Sequence, residues 1–467
     1  VKESGFVFGM GSPSLVDRNS MMNRFQSIPS GVVLSLIVML VAVGFRGSTL
    51  RGQEKSKKST EAKREAAHQK ESSLLTLERI FNSSHFRSQG FSKRWDDERN
   101  AFLSLESSER TPGGRDILLT DAVTEEKEIL VPAEDLIPGD ERKPLSIERY
   151  TFSEDRSRLL IYTNARRVWR THSRGDYWVL DRTSRSLRKL GGPDAKPSTL
   201  MFAKFSPDGR KVAYVRKKNI YCEDLVTGRI VPLTQRETPH IINGTFDWVY
   251  EEEFRLRDGF RWSPDSRSIA YWQLDTEGVP TFTMIDNLSN FYPETITFAH
   301  PKTGMTNSAA RIGVVSVEET TGKKVPPTHW VPIPGDPREN YLARMQWAPV
   351  VDGKQELWIL QLNRLQNRCR LYLTDPLAET PRRLFEEKND SWLTVNDPYL
   401  WSADGRKFTW ISERDGWRHV YEVDRETGKQ RLLTPGEYDI LELLHWQPEK
   451  KQLYVTASPE EATRQYL

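Results

Sequence analysis

The stretch FSPDGRKVAYVR, residues 205–216, decides the fold. Its Pro207-Asp208-Gly209 is a tight-turn signal, because proline fixes φ and glycine accepts the positive φ that closes such a turn. The strand behind the turn alternates, with Val212 and Tyr214 on one face and Ala213 and Val215 on the other. The same unit recurs: an aromatic residue, a small residue, a turn, a basic residue and an apolar strand. It reads FSEDRSRLLIYT from Phe152, WSPDSRSIAYWQ from Trp262, WAPVVDGKQELWIL from Trp347, WSADGRKFTWIS from Trp401 and WQPEKKQLYVTA from Trp446. A weaker copy, WDDERNAFLSLE, starts at Trp95. A second strand follows in several units, as in NIYCEDL from Asn219 and HVYEVD from His419. These lead out through turns such as Val226-Thr227-Gly228 and Glu426-Thr427-Gly428.

Successive units start about 50 residues apart, the size of a four-stranded propeller blade. One interval, from Trp262 to Trp347, is 85 residues and must hold an insertion or a blade whose signature has decayed. Helical solenoid repeats are excluded, since no 3.6-residue periodicity runs within the units. The sequence therefore predicts an all-β chain, a β-propeller of seven or eight four-stranded blades, with eight preferred. A propeller by itself is functionally mute: a binding scaffold, an assembly factor and a peptidase gate are all compatible with it.

The chain has 467 residues, 28% charged and 37% hydrophobic, with a net charge of +3. Both signs are interspersed, which argues against a nucleic-acid partner. Two cysteines, Cys222 and Cys369, are too few for a disulfide framework or a cysteine-based metal site; they read as buried free thiols, with pairing in an oxidising compartment as the alternative. No H-E-x-x-H metal motif occurs, and no cofactor is expected.

Residues 32–45, VVLSLIVMLVAVGF, are apolar and uncharged. That run is shorter than the ~20 residues of a membrane-spanning helix and fits the apolar region of a signal peptide. The expected organisation is an upstream extension over 1–31, a signal peptide or signal anchor over 32–47, a charged linker over 48–73 and the propeller over 74–467. Export to a periplasmic or extracellular location follows, with anchoring to the membrane as the alternative.

The segment that carries chemistry is DWVYEEEF, residues 247–254. Three adjacent carboxylates between aromatic residues fit poorly in a strand, where neighbours point to opposite faces. Glu252 and Glu253 can converge on one ligand only from a helical turn or an irregular loop, and Asp247 is placed to cap such a turn. Two converging carboxylates suit a protonated amine or a cation. Taken alone, such a run reads more readily as a solvated acidic loop.

The surroundings extend the reading. The run GTFDWVYEEEF, followed by GFRWSPDSRSIAYWQLDTEGVP, resembles the N-terminal propeller of the dipeptidyl peptidase IV family, which carries a DW-x-YEEE segment ahead of a WSPD-type turn. YPETITFAHPKTGMTN from Tyr292, SERDGWRHVYEVD from Ser412 and LTLERIF from Leu75 continue the resemblance, which covers residues 74–467. His300 departs from it, since the family more often has an aromatic residue there.

The resemblance implies that Glu252 and Glu253 bind the free α-amine of a peptide. It also implies that Arg170, in WRTHS from Trp169, holds the adjacent backbone carbonyl. Arg166, Arg167 and Arg174 lie near enough in sequence to compete for that role. It further implies an α/β-hydrolase partner domain with a Ser-His-Asp triad, release of N-terminal dipeptides and homodimer formation. The sequence contains no G-x-S-x-G nucleophile motif, and its eight histidines form no triad-like order with one. The chain is thus expected to be the substrate-gating propeller of an exported serine exopeptidase, cut short before its catalytic domain and inactive alone. A non-catalytic peptide- or protein-binding propeller is the competing reading.

Overall fold

The computed structural model describes residues 74–86, 92–96, 98–139, 141–318 and 324–467. The segments read above as extension, signal or anchor, and linker lie outside the described residues. The chain divides into two units, residues 1–90 and 91–467. The first has one short described helix, Leu77–Phe81, whose cap Thr76 accepts the Arg79 amide at 3.1 Å. Among the described residues, no helix is long and apolar enough to cross a membrane.

In the second unit seven antiparallel sheets follow one another, each carrying one of the seven sequence signatures. They span residues 93–131, 149–189, 201–232, 241–330, 340–388, 401–432 and 440–457, numbered here as blades 1 to 7. Blades 1, 2, 3 and 5 have four strands in chain order. In blade 6 a single bridge from Trp401 to Phe408 stands for the first strand. Blade 7 is the pair Ile440–Gln447 and Gln452–Ala457. An eighth sheet of this kind is not among the described residues.

The 85-residue interval holds an insertion rather than a decayed blade. Between the second and third strands of blade 4 the chain runs out into a separate hairpin, Thr281–Asp286 paired with Glu294–Ala299.

Four of the seven signature turns close by one device. In blade 3, Ser206 donates its hydroxyl to Asp208 at 2.5 Å and accepts the Lys211 amide at 3.0 Å, while the Gly209 amide returns to the Ser206 carbonyl at 2.8 Å. Ser153 with Asp155, Ser263 with Asp265 and Ser402 with Asp404 repeat it at 2.6 Å each. The following residue takes positive φ in every case: Arg156, Gly209, Ser266 and Gly405. The serine–aspartate pair thus holds the left-handed position even where the residue is not glycine.

Strand alternation builds the core between blades. Leu159 and Ile161 pack with Leu103 and Ile117 of blade 1, while Leu160 and Tyr162 pack with Val212 and Tyr214 of blade 3. Ala213 and Val215 then join Ile269 and Tyr271 of blade 4, and Ala270 and Trp272 join Leu357 and Trp358 of blade 5. Burying each large apolar side chain contributes about 1.5–3 kcal/mol. Both cysteines are free and buried in these layers.

First strands of neighbouring blades are tied directly. Trp262 Nε1 donates to the Lys204 carbonyl and Trp347 Nε1 to that of Arg261, both at 3.2 Å. The first strands of blades 2 to 5 line one cavity of about 600 Å³. Because strands alternate in direction, second-to-third-strand connections and blade-to-blade connections emerge at the same end of the sheets. The serine–aspartate turns lie at the other end.

Candidate functional site

Three connections at that first end meet. One is residues 244–259, which interrupt the first strand of blade 4 between Ile241–Asn243 and Phe260–Trp262. The loop is pinned where it leaves and returns: Gly259 donates its amide to the Gly244 carbonyl at 3.0 Å, and Gly244 to that of Trp272 at 3.0 Å. A Cβ on Gly259 would lie 2.6 Å from the Gly244 carbonyl carbon, so only glycine allows the two backbones to touch.

Inside the loop the chain forms the helix Trp248–Glu252. As the sequence indicates, Asp247 is its N-cap and accepts the Tyr250 amide at 3.1 Å. It also accepts the Ser308 hydroxyl at 2.6 Å, which ties the cap to blade 4. Burial raises the Asp247 carboxyl above its ordinary range, opposed by the Ser308 and Tyr250 hydrogen bonds. Tyr250 is buried, stacks on Phe246 at 5.5 Å, and its hydroxyl accepts the Leu342 amide of blade 5 at 3.1 Å. The aromatic residues flanking the glutamates are thus the anchor of the helix, and the glutamates are what remains at its free side.

Glu251 is half-buried, and its carboxyl is pushed up to about 7, chiefly by burial and further by Asp247 and Glu252; Arg257 and Arg174 pull against this. Glu252 is the last helical residue, 16% exposed, and Glu253 is the exposed C-cap. Among the described residues, the Glu253 carboxylate makes no hydrogen bond or ion pair.

The second connection is the tip of blade 2, where Arg158–Val168 and Thr171–Asp181 form a hairpin of two 11-residue strands. Trp169 takes positive φ at the tip, and Arg170 follows it. Arg170 Nε lies 2.8 Å from Glu252 Oε2 as an ion pair, while the arginine side chain stays 76% exposed. The structure therefore brings Arg170 and Glu252 together. Of the competing arginines, Arg167 is turned back onto the Trp169 carbonyl at 2.8 Å.

The third connection is the blade 4 hairpin. Phe298 meets Trp169 with ring centroids 4.8 Å apart, and His300 meets Trp248 edge-on at 4.2 Å. His300 occupies an aromatic place as a ring, which accounts for its tolerance there. This wall was not foreseen from the sequence, because its members come from three separate connections. The one available signal was the tryptophan beside Arg170 between two long alternating strands.

Glu251 supports a pH prediction. Its native carboxyl keeps its proton to higher pH than in the unfolded chain, so stability falls between pH ~4.5 and ~7 and stays lower above. Glu251→Gln is neutral throughout. Its advantage over the native chain should be near zero at pH 4 and grow to at most about 3 kcal/mol above pH 7, less what residual solvent contact screens. Urea midpoints across pH 4–8 measure it; a gap that does not widen with pH refutes the buried-carboxyl account.

An all-β propeller whose connection face carries an acidic helical turn beside an exposed arginine is the class that fold and site define. Residues 153–467 match the family model described as the dipeptidyl peptidase IV (DPP IV) N-terminal region, and the chain belongs to that family. It is 27% identical over 364 residues to dipeptidyl peptidase 4 of Trichophyton rubrum, covering 75% of this chain and 44% of that protein. The enzyme of the same name from Trichophyton tonsurans is 26% identical over 362 residues, with the same coverage. Among solved structures, the crystal structure of Porphyromonas gingivalis dipeptidyl peptidase 4 superposes with a TM-score of 0.72 at 26% identity, covering 84% of this chain and 53% of that one. The chain thus spans about half the length of the relatives it matches. The described residues hold no α/β-hydrolase domain.

Proposed function

We propose that this chain is the substrate-gating propeller of a serine-type dipeptidyl peptidase and that Glu252 and Glu253 hold the protonated N-terminus of a peptide. Arg170 holds the first backbone carbonyl beside them. The observation that carries the reading is the Arg170–Glu252 contact at the rim of the connection face. Arg170 stays well exposed beside Glu252, so its guanidinium, with five N–H donors, can also serve a carbonyl oxygen. Glu253 has its whole acceptor capacity for an ammonium group. Trp248 and the ring of His300 supply an apolar flank.

Bond cleavage on this reading belongs to an α/β-hydrolase domain of the kind the relatives' name implies. Its nucleophile would meet the peptide bond at a distance fixed by the amine clamp. The apolar run at 32–45 supports a place outside the cytoplasm, in the periplasm or beyond the cell. The blade 4 hairpin, with Leu288 96% and Phe291 94% exposed at its tip, suits the homodimer that the resemblance implies.

A direct test measures binding of one short peptide with a free and with an acetylated N-terminus to the chain, and its turnover. The free form should bind at least tenfold more tightly, since each charge-assisted hydrogen bond is worth about 1.5–3 kcal/mol. Neither form should be cleaved by the chain alone. Equal binding of the two forms removes the amine clamp; cleavage abolished by a serine-directed inhibitor removes the division of labour.

A further inference from the structure

Beside the amine clamp lies a second cavity of about 420 Å³, walled by the first strands of blades 2 and 3, the returning strand of the blade 2 hairpin, and Arg257 and Asp258. It adjoins the clamp along the chain on both sides: Thr171 follows Arg170, and Arg257 stands five residues after Glu252. Its wall is cationic. Asp258 is its one carboxylate, and both its oxygens are taken by Lys204 Nζ at 2.6 Å, with Arg261 at 3.4 Å.

Among the described residues, neither Arg149 nor Arg257 is ion-paired to a carboxylate. Arg149 reaches the His172 carbonyl at 3.3 Å and lies over the Tyr162 ring at 4.7 Å. Among the described residues, the half-buried Arg257 side chain makes no hydrogen bond and no ion pair. The buried Thr171 hydroxyl also lacks a partner. A guanidinium partly withdrawn from water with nothing to donate to is costly, and an anion seated against it repays that cost. Glu251 is the carboxyl that feels Arg257 most, and its burial works against its charge near neutrality.

We propose that this cavity receives a carboxylate of the peptide whose amine is held by Glu252 and Glu253, on the Arg257 and Arg149 guanidiniums with the Thr171 hydroxyl beside them. The inference rests on the amine reading and narrows the substrate class to peptides carrying a negative charge a short distance from a free N-terminus. An acidic side chain and the C-terminal carboxylate of a very short peptide offer the same chemistry. A neutral or basic residue at the same distance leaves Arg257 unpaired.

The test is a set of peptides bound to the full chain. In one arm, C-terminally amidated peptides carry a single aspartate at each of positions 2 to 6, each compared with its asparagine twin. In the other, uncharged tri- to hexapeptides are compared as free acids and amides. One position, or one length, should bind about tenfold more tightly than its neutral twin. Arg257→Gln should abolish that gain and Arg257→Lys keep part of it, while both retain the preference for a free N-terminus. Should either variant fold poorly, the wild type decides: raising salt from 50 to 500 mM should weaken the acidic peptide relative to its twin. No acidic preference alongside an intact preference for the free N-terminus overturns this inference and leaves the clamp standing. Loss of both preferences overturns the clamp and this inference together.

Discussion

Exchanging Glu252 and Glu253 together for glutamine is expected to erase the advantage of a free over an acetylated peptide N-terminus, a loss on the order of 100-fold. Glutamine keeps the size and one acceptor oxygen of each side chain but removes the charge that an ammonium group needs. Each single exchange should cost about tenfold, since one charge-assisted hydrogen bond is worth about 1.5–3 kcal/mol. Stability should hardly change. Glu253 has no partner to lose, and the Arg170–Glu252 pair joins a well-exposed arginine to a partly exposed glutamate, an arrangement worth about 0–1 kcal/mol. Arg170→Gln should weaken free and acetylated peptides alike, because a carbonyl is present in both. Binding titrations of the two peptides against the four proteins separate these outcomes. Double variants that keep the preference would reduce the acidic run to a solvated loop.

Trp272→Ala is expected to be the most damaging single change to the fold near the site, at about 3–5 kcal/mol. The ring is fully buried between blades 4 and 5, and its Nε1 donates to the Leu342 carbonyl at 2.8 Å. It also meets Phe246 edge-on at 5.2 Å, and Phe246 carries the stacked Tyr250. Removing it opens a cavity under the acidic helix and strands a carbonyl. Urea unfolding should show the full cost, and peptide binding should weaken in the same variant. Val226→Ala, on an exposed turn, should stay within about 0.5 kcal/mol. A cost below about 1 kcal/mol for Trp272→Ala would mean that the blade interface can close over the gap.

The blades were legible in the sequence because each is a local statement. A serine–aspartate turn and an alternating strand sit within a dozen residues, and the two faces of Val212 to Val215 pack as the alternation requires. Asp247 as a helix cap was legible for the same reason. The 85-residue interval was ambiguous, because an excursion hairpin and a worn blade carry the same alternating strands; only the pairing of Thr281–Asp286 with Glu294–Ala299 separates them. Of the site, the acidic pair and Arg170 could be named from residues and resemblance together. Ser308, Phe298 and Arg257 could not, since their roles arise from chain segments that meet only after folding. Glu251 looked like its two neighbours, and only the folded chain shows the burial that raises its carboxyl.

The two ends of the sheets answer to different demands. At one end, the serine–aspartate turns of blades 2, 3, 4 and 6 hold those blades to one turn geometry. At the other, the connections range from the two-residue turn Lys217-Lys218 to the excursion over residues 276–308. Every group assigned to peptide binding stands on that second end or just inside it. Recognition in this protein can therefore be rewritten by lengthening, shortening or exchanging connections while the scaffold keeps its own turns. Folding and selectivity are inherited on opposite rims of the same ring.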